Sequence, residues 1–488
     1  MMRLINLMFL FSSIHTQNKY FLVRCLFLKL FLFSCIWGQE RTGCIEGNCY
    51  NGIGKYRYSN GDVYEGGFKE KKKNGYGKYN FANGDKYKGE YLEGIKHGKG
   101  IYEYSDGKVF EGYYVKGRRE GMGKFISPDG LQFEGDYKNG KESGKGESIL
   151  PNGDKYSGDY KNGKFHGTGT ITFANGNSFE GEFQNGLAHG KGVYLYNNGD
   201  RFEGDMDSNK KHGKGLYIFS DGSRYEGDYE DDMRHGRGVL SYSNGDRYEG
   251  AFMNDNLHGM GKFFYPNGDQ YSGRFHEGVK IGKGSLRFSN GSNYLGEFSN
   301  DKQHGKGKIF YPSGDKYEGE FEDGLYNGTG KFTYANGNIY EGDFLKGEKS
   351  GSGKLITSQD QYEGEFKNGL YNGYGLYTFP NKDKYEGQFK EGKRTGMATL
   401  TNMFGEIYKG QFVDGIKKGL GSFTWPSGDT YLGEWSNGMR NGYGILTKFG
   451  QASEAGHWLN GKLDKPKEVS SVSDELKILY PGNILLEK

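Results

Sequence analysis

An aromatic residue, a glycine two positions on and a second large residue two beyond that return along this chain at a fixed interval. Taking the aromatic of "YEG" as position 1, repeats start at Tyr64 and recur through Tyr431, seventeen in all. Every spacing is 23 residues except Tyr340 to Tyr362, which is 22. A constant period of this size means one supersecondary unit copied in tandem, each copy contacting its neighbours, and not the several independent domains that 488 residues would otherwise suggest. Composition agrees: 87 glycines, 40 tyrosines and 34 phenylalanines leave little room for an aliphatic globular core. A disordered glycine-rich chain would not hold such positions in register.

Each repeat contains two strand-like runs and two turns. Position 1 is always Tyr or Phe, position 3 is always Gly, and position 5 is aromatic except at Met206. Side chains alternate along a strand, so positions 1, 3 and 5 share one face. The second run carries glycine at position 14 and apolar residues at 16 and often 18, as in "YLYNNGDRFEG" (194–204). A helical period fits nowhere, which leaves hairpins. Asn-Gly pairs such as Asn83-Gly84, Asn175-Gly176 and Asn244-Gly245 predict tight two-residue turns, since both residues tolerate positive φ. The glycines at positions 3 and 14, Gly89 among them, predict rings lying across bare backbone.

One hairpin cannot bury its rings, but a row of them builds a continuous ladder. The expected fold is all-β, a single elongated antiparallel sheet of tandem 23-residue hairpins. It should gain about 9.6 Å per repeat, and on the order of 160 Å in all, as a rod or trough. Recognition is expected through the aromatic face or an open sheet edge, which also makes a homo-oligomer an expectation.

The stretch "YEGEFEDGLYNGTGKFTYANGN" (317–338) and its copies over 50–462 resemble MORN repeats (membrane occupation and recognition nexus). The resemblance implies stacked antiparallel hairpins with scaffolding, protein-contact and sometimes membrane roles. It also implies no catalysis by the repeats themselves, and the 26 residues after Lys462 are too few for a catalytic domain, so no enzyme and no cofactor are expected.

Residues 1–39 are apolar, lack Asp and Glu, and carry Arg3, Lys19, Arg24 and Lys29. They read as a secretory leader. "LFSC" resembles a bacterial lipobox in which Cys35 would be lipidated. An uncleaved membrane anchor and a true start near Val23 stay open, although Lys29 interrupts the apolar run. Without the four basic residues of the leader the chain has 61 basic and 62 acidic residues, so no basic excess drives nucleic-acid binding. Cys44 and Cys49 flank a Gly-Asn turn within residues 40–49, and in an exported protein they predict a local disulfide that pins the start of the array. The protein is expected to be exported, to the envelope or the medium.

Seven histidines fall at position 11: His97, His166, His189, His212, His235, His258 and His304. Copies about 9.6 Å apart cannot share an ion that holds each ligand at about 2 Å, so no metal site is expected. "GKESGKGES" (140–148) lacks the spacing of a phosphate loop. Position 2 is Glu in 11 repeats and position 13 is Lys or Arg in 7, a pattern of cross-strand ion pairs. Binding of phospholipid headgroups to the same face is the alternative function.

Irregularities cluster at 350–405, where "ITSQDQYEGEF" (356–366) loses a residue, "FPNKDKYEG" (379–387) puts Lys for Gly, and Ala398 replaces a glycine. They mark either drifted repeats or a bend or partner site. The tail 463–488 lies outside the pattern, and its "SDELKILY" predicts a short helix capping the last hairpin. The function expected is a non-enzymatic scaffold with an unidentified protein partner, organised as leader 1–39, cysteine cap 40–49, array 50–462 with full repeats from 64 to 453, and tail.

Overall fold

A computed structural model describes residues 41–486; the leader and Cys35 lie outside the described residues. The chain divides into two structural units, one ending at Lys96 and one starting at His97. In the first, the strands Gly43–Gly47, Gly52–Arg57, Val63–Lys69, Lys72–Asn80 and Lys86–Leu92 pair antiparallel in chain order. In the second, antiparallel hairpins succeed one another up to the last strand, Lys462–Pro466, each strand pairing with its sequence neighbours. The architecture is the expected open sheet of tandem hairpins.

The repeat starting at Tyr156 shows the local logic. Its strands, Lys155–Lys161 and Lys164–Thr172, are joined by Asn162-Gly163, both at positive φ (54° and 82°), the signature of a two-residue I′ turn. Gly158 faces Gly169, but the register shifts before Tyr160 meets Phe165. The second strand therefore carries an extra stretch, His166-Gly167-Thr168, in which Gly167 sits at φ 61°. This is a bulge, and every repeat has glycine at this twelfth position, a column the sequence reading passed over. The carbonyl of Asp159, opposite the bulge, accepts the hydroxyl of Tyr156 at 2.9 Å.

The second turn differs from the expected one. At Asn175-Gly176 only the glycine has positive φ (89°). Phe173 N–H donates to Asn177 O, and the Asn175 side chain accepts from Asn177 N–H, closing a longer loop. The two-residue turns lie instead at positions 7 and 8.

Both margins of successive hairpins are tied. On one, Gly186 N–H donates to Phe165 O of the preceding repeat at 2.9 Å. On the other, a turn carboxylate reaches forward: Asp154 Oδ1 accepts Ala174 N–H at 2.8 Å, and Asp200 accepts both Ser220 N–H (2.8 Å) and the Tyr217 hydroxyl (2.7 Å).

The rings form the core. Tyr225 packs edge-on against Tyr229 of its own repeat (5.2 Å, 90°) and Phe252 of the next (5.0 Å, 80°). This zigzag runs from Phe110 to Trp458, interrupted at Met206. Each such pair adds about 0.5–1.5 kcal/mol beyond burial. The glycines make it possible, because a Cβ on Gly158 would lie 2.5 Å from both Gly169 Cα and Tyr156 Oη. Over the rings lies a further column, position 10. Where it is basic it sits on a ring face, as with Arg119 (4.1 Å from the Phe110 centroid) and Lys417 (4.6 Å from Tyr408). Where it is aromatic it stacks, as Phe165 does on Tyr156 at 3.8 Å. The rings at positions 1 and 5 are consequently buried, Tyr225 and Tyr248 fully so. The expectation of recognition through the aromatic face is corrected: those rings are spent on one another.

The irregular repeats keep the ladder intact from Ile339–Leu345 through Ile407–Val413. The missing residue only shortens a turn, in which Thr357 N–H donates to Asp360 O, and Lys382 takes the φ of 70° that glycine usually supplies. The tail forms a helix, Val469–Leu479, that packs on one face of the sheet against its last strands, Met439–Thr447 and Glu454–Leu459.

Candidate binding groove

With the rings on one face, positions 2, 4, 13 and 15 project from the other. Their charges are organised by the bulge. The position-4 carboxylate accepts the N–H of position 13 in its own repeat, as Asp159 does from Thr168 (3.0 Å) and Asp228 from Arg237 (2.8 Å). The position-13 cation of the preceding repeat then reaches the same carboxylate: Lys145 Nζ to Asp159 Oδ1 is 2.7 Å, and Lys214 to Asp228 is 2.5 Å. The hydrogen bond from Lys145 and that from Thr168 N–H outweigh burial and hold the Asp159 carboxyl below its usual range. Position-15 lysines pair with position-2 glutamates of the next repeat, as in Lys124–Glu134 (3.1 Å) and Lys308–Glu318 (2.6 Å). Ion pairing was expected between positions 2 and 13. The pairs found run mostly from 13 to 4 and from 15 to 2 of the next repeat, because these positions stand directly opposite each other across the regular ladder between repeats, as Lys145 does to Asp159 and Lys124 to Glu134; Lys99–Glu111 keeps the expected 13-to-2 form. Each contributes little at such exposure, about 0.2–1 kcal/mol.

Within the second structural unit this face forms a groove of about 2180 Å³ bordered by residues from Met122 to Ser272. Its lining includes nine Asp or Glu and five Lys or Arg. Along its floor the position-15 residues of three consecutive repeats are apolar: Val193, Leu216 and Val239.

The C-terminal helix occupies the same face farther on. Its Val472 and Leu476 are fully buried against Leu420 and Ala455, with Leu432, Tyr443 and Ile445 around them. Those sheet residues stand at positions 2, 13 and 15, where other repeats carry Glu, Lys or Thr. Tyr480 closes the contact by donating its hydroxyl to Glu434 Oε1 at 2.9 Å.

The histidine column sits beside the groove and contacts its neighbours in pairs. His189 Nδ1 is 3.1 Å from Asp207 Oδ1, and the His258 ring lies 5.2 Å from that of His276. Among the described residues no three His, Cys, Asp or Glu side chains gather as a metal site. Cys44 and Cys49 are joined by a disulfide, Cα atoms 5.9 Å apart, at the head of the first strand pair. "GKESGKGES" runs through a turn and into the strand Lys141–Ile149. Among the described residues no helix is long and apolar enough to cross a membrane.

The MORN repeat pattern matches eighteen successive stretches, beginning at 48–63 and ending at 431–448. The chain belongs to the MORN repeat family. No curated protein matches it. Solved structures with some likeness include the TCP10 domain of Danio rerio CPAP in complex with a peptide of STIL, at 14% identity and TM-score 0.24, covering 45% of this chain and 92% of that one. The TCP domain of Drosophila melanogaster SAS-4 with a proline-rich motif of Ana2 gives 11% and 0.21, covering 36% and 88%. Virginiamycin B lyase from Staphylococcus aureus gives 13% and 0.11, covering 59% and 94%. At such scores these likenesses carry no argument. In this MORN array the groove lies on the face opposite the ring core.

Proposed function

We propose that the protein is an exported, non-enzymatic MORN-repeat scaffold that holds a protein partner along its groove face, at the cell envelope or in the medium. The observation that carries this reading is the C-terminal helix: the groove face buries a protein segment where Leu420, Leu432, Ile445 and Ala455 make its columns apolar. Export rests on the leader-like residues 1–39 and on the cysteine pair at 44 and 49, with lipidation at Cys35 as the anchored variant. The alternative, a scaffold binding phospholipid headgroups through the repeats, is disfavoured by the carboxylate excess in the groove, which repels anionic lipid.

The test is capture of partners on residues 40–488 from the native envelope or culture medium, with light scattering on the purified protein. A defined protein bound in fixed stoichiometry supports the scaffold. Recovery of lipid alone transfers the reading to the membrane, and liposome sedimentation at graded salt would confirm that transfer. Mass spectrometry of unreduced peptides checks the export part, since free thiols at Cys44 and Cys49 in the exported protein would count against it.

A further inference from the structure

The geometry points to one kind of occupant for the groove between Met122 and Ser272: an amphipathic α-helix with an apolar stripe and basic flanks, supplied by the partner. This deepens the scaffold reading and rests on it. Three observations converge. First, the chain demonstrates the mode on itself, because the helix Val469–Leu479 crosses several strands of the same face and buries one apolar side chain per turn against position-13 and position-2 residues.

Second, the floor has the spacing a helix needs. Val193, Leu216 and Val239 occupy one column in consecutive repeats, so at two strands per repeat they span about 19 Å. A helix rising 1.5 Å per residue covers that length with about 13 residues, and its i, i+3, i+4, i+7 stripe presents an unbroken apolar line. An extended strand has no unpaired sheet edge to join here, since every strand of this stretch is paired on both sides. That removes strand addition as the mode.

Third, the charge around the floor is acidic. Arg201 and Arg224 pair with Glu203 and Glu226, whereas Asp136, Glu180, Glu182 and Asp205 have no ion-pair partner among the described residues. Lysine or arginine beside the apolar stripe would supply one, and an acidic helix would be repelled.

The probe is a capped peptide of about 16 residues, leucines at i, i+3, i+4 and i+7 and lysines elsewhere, beside a scrambled peptide of the same composition, titrated onto residues 40–488 by fluorescence anisotropy. The helical peptide is expected to bind and to gain helical circular dichroism, while the scrambled one binds at least about tenfold more weakly. Leu216→Lys and Val239→Lys should each weaken binding by about tenfold without lowering Tm, and Leu370→Lys, at the exposed start of the strand Leu370–Thr378 away from the groove, should leave it unchanged. Equal binding of both peptides would reduce the effect to charge and overturn the proposal. So would indifference to the two floor substitutions, or phosphatidylserine vesicles binding in their place with the same sensitivity. If a captured partner binds and the helical peptide does not, the helix inference fails and the scaffold stands. If no protein binds by any route, both fail.

Discussion

Asp200 sits in a turn, yet two of its side-chain partners, Tyr217 and Ser220, lie in the following repeat. Burial raises the cost of its charge, but the hydrogen bonds from Tyr217, Ser220 and Asn198 outweigh this and hold its carboxyl below the usual carboxylate range. A depressed carboxyl stabilises the fold above the unfolded pKa and loses that contribution as pH falls through the folded one. Asp200→Asn is therefore expected to lower Tm at neutral pH, at a cost of about 1–3 kcal/mol, and to lose less than the parent on acidification below about pH 4. Thermal melts at neutral and acid pH check both halves. Gly158 makes the complementary point. Valine is the better strand former, but its Cβ has no space between Tyr156 and Gly169, so Gly158→Val should cost about 1–3 kcal/mol, while Ser157→Val, one residue away and exposed, should be nearly neutral by chemical denaturation. The glycine against the rings was legible in the sequence, because a period-two reading puts it on their face. The turn aspartate and Gly167 were not: periodicity marks a column as constant but says nothing of its φ or of a partner in the next repeat.

At the scale of the element, the hairpin could be read from its alternation and the C-terminal helix from its composition. The site on which that helix rests could not. The helix was expected on the last hairpin, and Leu420, Leu432 and Ile445, which replace charged or polar columns on the groove face, form the seat that holds it there. Each of those residues looks like drift when the repeats are aligned, and only their spatial grouping shows a seat. The same holds for position 10, whose Lys, Arg, Phe and Tyr members share one physical meaning, a lid over a ring. Ending the chain after Pro466 should expose the seat. The expected outcome is increased binding of a hydrophobic dye and a loss of stability confined to the last repeats, measured by hydrogen exchange; unchanged protection there would show that the helix contributes nothing.

For the whole molecule, the phenols set the alkaline limit. Burial pushes the hydroxyls of Tyr64, Tyr248, Tyr271 and Tyr385 up to about 12, against 10.0 for a free phenol. A group whose folded pKa is raised contributes stability below its unfolded pKa and loses it as pH rises through the folded value. Stability should be flat to about pH 9, fall between about pH 10 and 12, and give way cooperatively, with phenolate absorbance rising together with loss of strand signal. Phenolate formation at an ordinary pKa in the folded protein would refute the buried-ring core.

The ties at both margins of a hairpin, and the ring contacts between them, all end on the adjacent copy. The backbone tie, an N–H at position 8 donating to the carbonyl at position 10 of the preceding repeat, recurs from joint to joint, as at Gly94–Lys73, Gly186–Phe165 and Gly415–Arg394. Unequal recombination within the coding sequence can therefore add or delete a whole repeat and leave the backbone joint as it was. Reach is thus a heritable variable, adjustable without redesign, while groove chemistry changes separately, one column at a time.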